Sequence, residues 1–181
     1  MSDGQRLIRA TRLTIAPTAF IAPGAVLVGD VTVEDEASVW YGCILRGDIE
    51  PITVGARSNI QDGTIVHVDP GYPAVIGPDV TIGHRAVIHG CVLEAGCLIG
   101  MGAVLLTGSR VGSGALIAAG ALLREGFHVP PHTLAAGVPA TLRGELDQAT
   151  RERVARNKDH YVDAARHYRA GLAGGGPHDG R

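Results

Sequence analysis

The chain has 181 residues and a formal net charge of −2, which is enough length for one domain with a continuous core. Neither charge sign is concentrated in one block, so a basic nucleic-acid face and an anionic-membrane anchor are excluded, and no apolar stretch is long enough to span a membrane. Three cysteines without a CxxC pair, and an N-terminus without an apolar signal sequence, predict a reduced, cytoplasmic protein.

A repeat of six residues occupies most of the chain and falls into four runs. Three extra residues separate the first run from the second, four extra residues separate the second from the third, and the fourth run begins one residue early. Its first positions are aliphatic: Ile15, Ile21, Leu27, Val33, Val39 and Leu45; Val54, Ile60 and Val66; Ile76, Ile82 and Ile88; Leu93, Ile99, Leu105, Val111, Ile117 and Leu123. Three units make one triangular turn of a parallel β-helix. The eighteen units therefore predict an all-β fold, a left-handed parallel β-helix of about six turns, over residues 1–144.

The composition fits a narrow interior of this kind. Aromatic residues are only 4% of the chain, and 26 residues are glycine. The fifth position of each unit is small or β-branched, as crowded corners require, and Cys43 and Cys97 occupy such positions. We expect the recurring glycines, such as Gly24, Gly55 and Gly100, to supply unusual backbone angles at the corners.

A C-terminal helix is predicted where the period of six ends. Apolar residues between Leu146 and Leu172 recur at helical spacing. We assign residues 145–172 to one amphipathic helix packed on the prism, and residues 173–181 to a disordered tail.

Three histidines, His67, His84 and His89, follow the spacing H-x16-H-x4-H. His67 and His89 are each the second residue of a unit, and those units are one turn plus a slip apart, so the two side chains should stack on one face. His84 lies around a corner, and a neighbouring prism in a threefold trimer could supply it. Three imidazoles with an open fourth position are typical of catalytic zinc, and ferrous iron and cobalt are also compatible. The alternative is three surface histidines on a scaffold.

Other polar residues occur close to these histidines in the sequence. Gln61 precedes His67 by one unit, where its amide could hold a hydroxide on the metal or a substrate oxygen. Arg46 and Asp48 could pair across a subunit contact. For Arg46, Asp48, Asn59 and Asp62, a structural role at corners or interfaces is an equally good interpretation.

Five motifs, RGD, NIQDG, VHV, IGHRAVIHGC and GMGAV, resemble in this order those of the γ-class carbonic anhydrases. The resemblance implies that His67, His84 and His89 are zinc ligands in a homotrimer and that Gln61 is bonded to the zinc-bound solvent. The resemblance also gives roles to five further residues: Arg46 and Asp48 form an interface ion pair, Asn59 and Asp62 match pocket or interface positions, and Tyr161 matches an aromatic brought toward the metal.

The activity implied by this resemblance is the hydration of CO₂ to bicarbonate, since zinc lowers the pKa of its bound water to near 7. The chain departs from the archetypal enzyme in two places. Only VDPGYPAV separates His67 from Ile76, where the archetype has a long acidic loop, and Ile49 replaces a glutamate. Asp69 and Tyr72 are poor substitutes for that proton-transfer machinery, so we expect slow hydration or a different substrate.

Two rival functions use the same prism. Hexapeptide acyltransferases have a glycine–proline corner near acyl-coenzyme A that AAGVPA (135–140) resembles, although Thr141 stands where they have a lysine. The other rival is a metal-bearing scaffold protein without turnover, since a fold alone does not give a function.

Overall fold

The computed structural model describes residues 11–173. They form a left-handed parallel β-helix followed by one α-helix, as the repeat predicts. The β-helix has about seven turns, not six. The difference arises because Val129 and Ala135 extend the inner columns by two further units, pairing in register with Val111 and Ile117.

The described residues form nineteen strands and one helix. The strands are β1 (Arg12–Ile15), β2 (Phe20–Ile21), β3 (Val26–Val33), β4 (Ser38–Val39), β5 (Ile44–Val54), β6 (Asn59–Ile60), β7 (Ile65–His67), β8 (Ala74–Ile76), β9 (Thr81–Ile82), β10 (Val87–His89), β11 (Val92–Leu93), β12 (Leu98–Ile99), β13 (Val104–Leu105), β14 (Arg110–Val111), β15 (Leu116–Ile117), β16 (Leu122–Leu123), β17 (His128–Val129), β18 (Thr133–Gly137) and β19 (Ala140–Glu145), and the helix is α1 (Gln148–Ala173).

Strands on successive turns pair in parallel and build three faces. Face 1 contains β7, β10, β13 and β16 with the first halves of β3 and β5. Face 2 contains β1, β8, β11, β14 and β17 with the second halves of β3 and β5, which turn the corner without a break. Face 3 contains β2, β4, β6, β9, β12, β15 and β18, and β19 adds to it antiparallel.

The interior consists of stacked aliphatic columns, one for each face. On face 1 the column contains Leu45, Val66, Ile88, Leu105 and Leu123, all fully buried and paired in register. Burying one such side chain contributes about 1.5–3 kcal/mol, so the repeat itself stabilises the prism.

All three cysteines are free and buried, which fits the core positions predicted for Cys43 and Cys97. Burial raises the pKa of the Cys43 thiol to about 11 and that of the Cys91 thiol to about 12. Neither thiol is therefore a nucleophile near neutral pH.

Glycines at the corners have two different roles, of which the sequence indicated one. Gly24 and Gly114 have positive φ, as predicted. Gly55 and Gly100 do not, and are needed for another reason: a Cβ at Gly100 would lie 2.4 Å from the backbone nitrogen of Ala119 on the next turn.

Helix α1 begins at Gln148, three residues later than predicted, because Glu145 still belongs to β19 and Asp147 caps the helix. The Asp147 carboxylate accepts a hydrogen bond from the backbone N–H of Thr150, with an N–O distance of 2.8 Å. The bond to Thr150 lowers the pKa of Asp147. Apart from Ala173, the last residue of α1, the predicted tail lies outside the described residues.

An aromatic cluster holds α1 against face 3. It contains five of the seven aromatic residues: Phe20, Trp40, Tyr41, Tyr161 and Tyr168. The Trp40 ring meets those of Phe20 and Tyr168 edge to face, with centroids 5.2 and 5.3 Å apart.

Within residues 11–173 no helix is long and apolar enough to cross a membrane.

Candidate metal centre

His67 and His89 lie side by side at the ends of β7 and β10. They are register partners, as the repeat predicts, and Arg46 on β5 is the partner of His67 one turn earlier. Nδ1 of His67 lies 3.1 Å from Nε2 of His89. Both side chains are largely covered, with exposed fractions of 16% and 29%.

This separation fits two ligands of a single ion. Two imidazole nitrogens bound tetrahedrally at about 2.0–2.1 Å lie about 3.3 Å from each other. The observed distance of 3.1 Å is close to that value. The donor set of neutral imidazoles suits zinc, ferrous iron or cobalt.

The His67 ring is oriented by a carboxylate. Its Nε2 lies 3.2 Å from Oδ1 of Asp48 and, because a carboxylate only accepts, this nitrogen carries the hydrogen. Burial lowers the pKa of His67 below its ordinary value, although the hydrogen bond to Asp48 opposes the shift. His67 is therefore neutral near pH 7, with Nδ1 free to bind a metal.

Arg46 and Asp48 pair within one strand. Nη1 of Arg46 donates to Oδ2 of Asp48 across 2.7 Å. Desolvation raises the pKa of Asp48, but the bonds from Arg46 and His67 outweigh it and leave the pKa below its usual range. Within the chain these two side chains are thus paired with each other, and the pairing across a subunit contact suggested by the sequence stays a prediction that a single chain does not test.

The His89 ring has a polar partner that the sequence analysis missed. Its Nδ1 lies 2.9 Å from Oγ1 of Thr107, and that hydroxyl donates to Oδ2 of Asp69 across 2.7 Å. Thr107 belongs to the unit that begins at Leu105, one turn beyond the unit of His89. The repeat carries the signal for this contact, because Ile88 and Leu105, the first residues of the two units, are register partners.

His84 occupies a different part of the prism. It lies in the turn after β9, at the corner between faces 3 and 1, whereas His67 and His89 end the face 1 strands on the side toward face 2. Nδ1 of His84 lies 2.9 Å from Oδ2 of Asp62, and both side chains are well exposed.

Gln61 and Tyr161 lie with His84 and not with the pair. All three line one groove of about 590 Å³ between face 3 and α1. Tyr161 also lines a second groove of about 340 Å³ with His84 and Asp62. Burial, and then the charge of Asp62, raise the pKa of Tyr161.

Asn59 is fully buried and orients Gln61. Its Oδ1 accepts a hydrogen bond from Nε2 of Gln61 across 3.1 Å, and its Nδ2 donates to Thr81 across 2.9 Å. A second residue that the sequence analysis missed, Asn157, lines the groove with His84. Its Oδ1 is buried and has no hydrogen-bond partner among residues 11–173.

The structure thus divides the predicted residues into two groups on one chain. His67 and His89 belong to the first, with Arg46 and Asp48, and His84 belongs to the second, with Gln61, Asn59, Asp62 and Tyr161. In the part of the chain that the structure describes, no group of three or more His, Cys, Asp or Glu side chains could hold a metal. Within one chain, therefore, His84 does not join the His67–His89 pair.

The repeat matches a known family model, the bacterial transferase hexapeptide (six repeats), at residues 73–106 and 90–125. This match covers part of the prism, residues 73–125, and identifies the repeat, not a metal site.

Full-length comparisons give closer relatives. The chain is 49% identical over 148 residues to a protein of Methanocaldococcus jannaschii named "Probable carbonic anhydrase", covering 82% of this chain and 93% of that one. It is 39% identical over 156 residues to a "Carbonic anhydrase" of Geobacillus kaustophilus, covering 86% of each. Among solved structures, a hexapeptide transferase family protein from Anaplasma phagocytophilum superposes with a TM-score of 0.83 at 37% identity, covering 86% of this chain and 92% of that one.

Proposed function

We propose that this chain, which belongs to the γ-class carbonic anhydrase family, hydrates CO₂ to bicarbonate at a metal site completed between the subunits of a homotrimer. The observation that carries the proposal is the His67–His89 pair, whose ring nitrogens lie 3.1 Å apart, close to the separation that one tetrahedral ion requires. His84 of the neighbouring subunit is the third ligand in this proposal, and zinc is the first metal to test.

Exposed aliphatic side chains support a threefold assembly. On face 1, Val26, Ile44 and Ile65 are register partners and remain 47%, 41% and 43% exposed. On face 3, Leu98 and Leu116 form a second outward column, beside His84 in its groove. In a cyclic trimer one face meets a different face of the next subunit, so burying these two columns together would bring His84 toward the pair.

In the proposed reaction each polar residue has a separate role. A divalent metal held by three imidazoles supplies an activated water at neutral pH. Gln61, fixed by its bond to Asn59, is assigned to holding an oxygen of CO₂ or bicarbonate. Asp48 keeps the His67 ring oriented, and Arg46 holds Asp48.

Proton export is the step for which the chain is least equipped. The loop after His67 provides Asp69, but the carboxylate of Asp69 is bonded to Thr107, and Tyr72 packs on Gly90 and Gly108. Ile49 adds no carboxylate. We therefore expect hydration to be limited by proton transfer to the solvent.

Turnover should accordingly rise steeply with buffer concentration, because an external base then does the work of an internal shuttle. Stopped-flow hydration assays at fixed pH and ionic strength, over a series of buffer concentrations, measure this dependence. A fast turnover that is indifferent to buffer would show that an internal shuttle exists.

The proposal as a whole is tested on protein purified without chelator. We expect close to one metal ion per chain by elemental analysis, and CO₂ hydration that is lost on chelation and restored by zinc. Protein that binds no stoichiometric metal even after reconstitution would rule out the metalloenzyme. Metal without hydration would favour the scaffold, and acetyl transfer from acetyl-coenzyme A without metal would favour the acyltransferase.

A further inference from the structure

A continuous chain of polar contacts joins two carboxylates through the histidine pair. It runs from Asp48 to His67 (3.2 Å), to His89 (3.1 Å), to Thr107 (2.9 Å) and to Asp69 (2.7 Å). Both ends are carboxylates, which accept hydrogen bonds and have none to donate. The hydrogens in this chain must therefore come from the three residues between them.

With both imidazoles neutral, as metal binding requires, counting hydrogens leaves one of the four contacts without a hydrogen. Four contacts share three hydrogens, one on each neutral imidazole and one on the hydroxyl. The Thr107 hydroxyl donates to Asp69, which leaves two places for the His89 hydrogen: on Nδ1, toward Thr107 at 2.9 Å, or on Nε2, toward His67 at 3.1 Å. We assign it to the shorter contact, the one with Thr107. Nε2 of His67 donates to Asp48. The contact left without a hydrogen is the one between Nδ1 of His67 and Nε2 of His89, where two lone pairs face each other.

We propose that Thr107, held by Asp69, is a positioning residue for the metal: it keeps the His89 hydrogen on Nδ1 and so reserves Nε2 as a ligand atom. Two facing lone pairs repel each other unless a cation lies between them, so the same bonds that set the tautomers favour a bound ion. Because this role needs a metal at the pair, it rests on the function proposed above.

The short loop after His67 is built to place Asp69. A β-bridge joins Asp69 to Tyr72, and the backbone N–H of Tyr72 donates to the Asp69 carbonyl across 2.8 Å. The side chain of Tyr72 lies over Gly90 and Gly108, the residues directly after His89 and Thr107. A Cβ at Gly90 would lie 3.0 Å from Cβ of Tyr72, and one at Gly108 would lie 3.2 Å from Cε1. Glycines at these two positions thus let the loop approach the histidine.

The test compares Thr107→Val, which removes the hydroxyl at nearly constant shape, with Thr107→Ser, which keeps it. Loss of such an outer partner weakens metal binding about 10–100-fold. We expect a zinc dissociation constant raised by about that factor in Thr107→Val and close to wild type in Thr107→Ser, measured by competition with a chromophoric chelator.

A second readout needs no metal. In the metal-free wild type, at a pH well above the ordinary histidine pKa of about 6.5, ¹⁵N NMR should show the His89 hydrogen on Nδ1. The His89 signals are identified by their absence from His89→Ala. In Thr107→Val the hydrogen should move to Nε2, which faces the lone pair on Nδ1 of His67, whereas Thr107→Ser should retain the wild-type tautomer.

Each remaining outcome overturns the role of Thr107. A wild-type His89 with its hydrogen on Nε2 does so directly, and that measurement stands even if Thr107→Val fails to fold. Unchanged zinc affinity in Thr107→Val, or weakened affinity with the Nδ1 hydrogen kept, would make Thr107 only a tether for the loop. Wild-type protein that binds no metal would refute the proposed function and with it the positioning role, and the tautomer measurement would then show only whether Thr107 orients the His89 ring.

Discussion

Replacing His89 with alanine is expected to abolish stoichiometric metal binding, and with it CO₂ hydration, while the prism stays folded. His89 points outward from β10, and the residue before it, Ile88, fills the core. Removing this outward side chain leaves the aliphatic columns intact but breaks the hydrogen bond to Thr107, so the free energy of unfolding of the metal-free protein should fall by only about 1 kcal/mol. Elemental analysis, a hydration assay and thermal unfolding of the metal-free proteins measure the three effects.

His128→Ala is the matched control. His128 is also an outward histidine on a strand, β17, but it lies on face 2, where its register partner is Arg110. It should retain close to one metal ion per chain and the hydration rate of the wild type. If His89→Ala keeps its metal, or if His128→Ala loses it, the His67–His89 pair is not the metal site.

Mixing two inactive variants, His67→Ala and His84→Ala, is expected to restore about a quarter of the sites. His84 lies at the corner between faces 3 and 1, away from the pair, so each site of the proposed trimer takes the pair from one chain and His84 from the next. With random refolding from equal amounts, about three-quarters of the trimers are mixed, and each has one intact site of three. Metal content and hydration should therefore both return to about 25% of the wild-type values.

The control for this experiment mixes His67→Ala with His89→Ala. Both substitutions remove a ligand from the same half of the site, so no arrangement of subunits can assemble an intact one. Native mass spectrometry with a mass tag on one variant shows whether mixed trimers have formed. Mixed trimers of His67→Ala and His84→Ala that recover neither metal nor activity would refute the shared site, because a site within one chain can never be rescued in this way.

The sequence predicted the fold well because a β-helix is nearly a one-dimensional structure. Each turn contacts only its neighbours, so the spacing of Leu45, Val66 and Ile88 suffices to place them in one column. The slip between Val66 and Ile76 interrupts the period without breaking the column, since a loop can leave the prism and return in register. The predicted number of turns was too low because the series was ended at Leu123, although Val129 and Ala135 continue the spacing of six; two prolines follow Val129, and Ala135 is smaller than the other residues of the columns.

The same frame predicted the stacking of His67 and His89, and the structure confirms it. It also separated His84 from them. The helix was located by its spacing, but its first residue depends on Asp147 and on β19, whose antiparallel pairing follows no repeat. The predicted disorder of the tail stays a prediction, because all of it except Ala173 lies outside the described residues.

By itself, then, the sequence determined what depends on periodicity: the prism, its inner columns, the histidine pair and the separation of His84. Only the tertiary structure decided the contacts made by loops and polar side chains that do not follow the repeat of six. The loop of Asp69 and Tyr72 returns over Gly90 and Gly108 to reach Thr107, 38 residues further along the chain. Asp48 meets both Arg46 and His67, and Asn59 fixes Gln61 beside His84. These contacts depend on side-chain direction and loop path, which hydrophobic spacing does not encode.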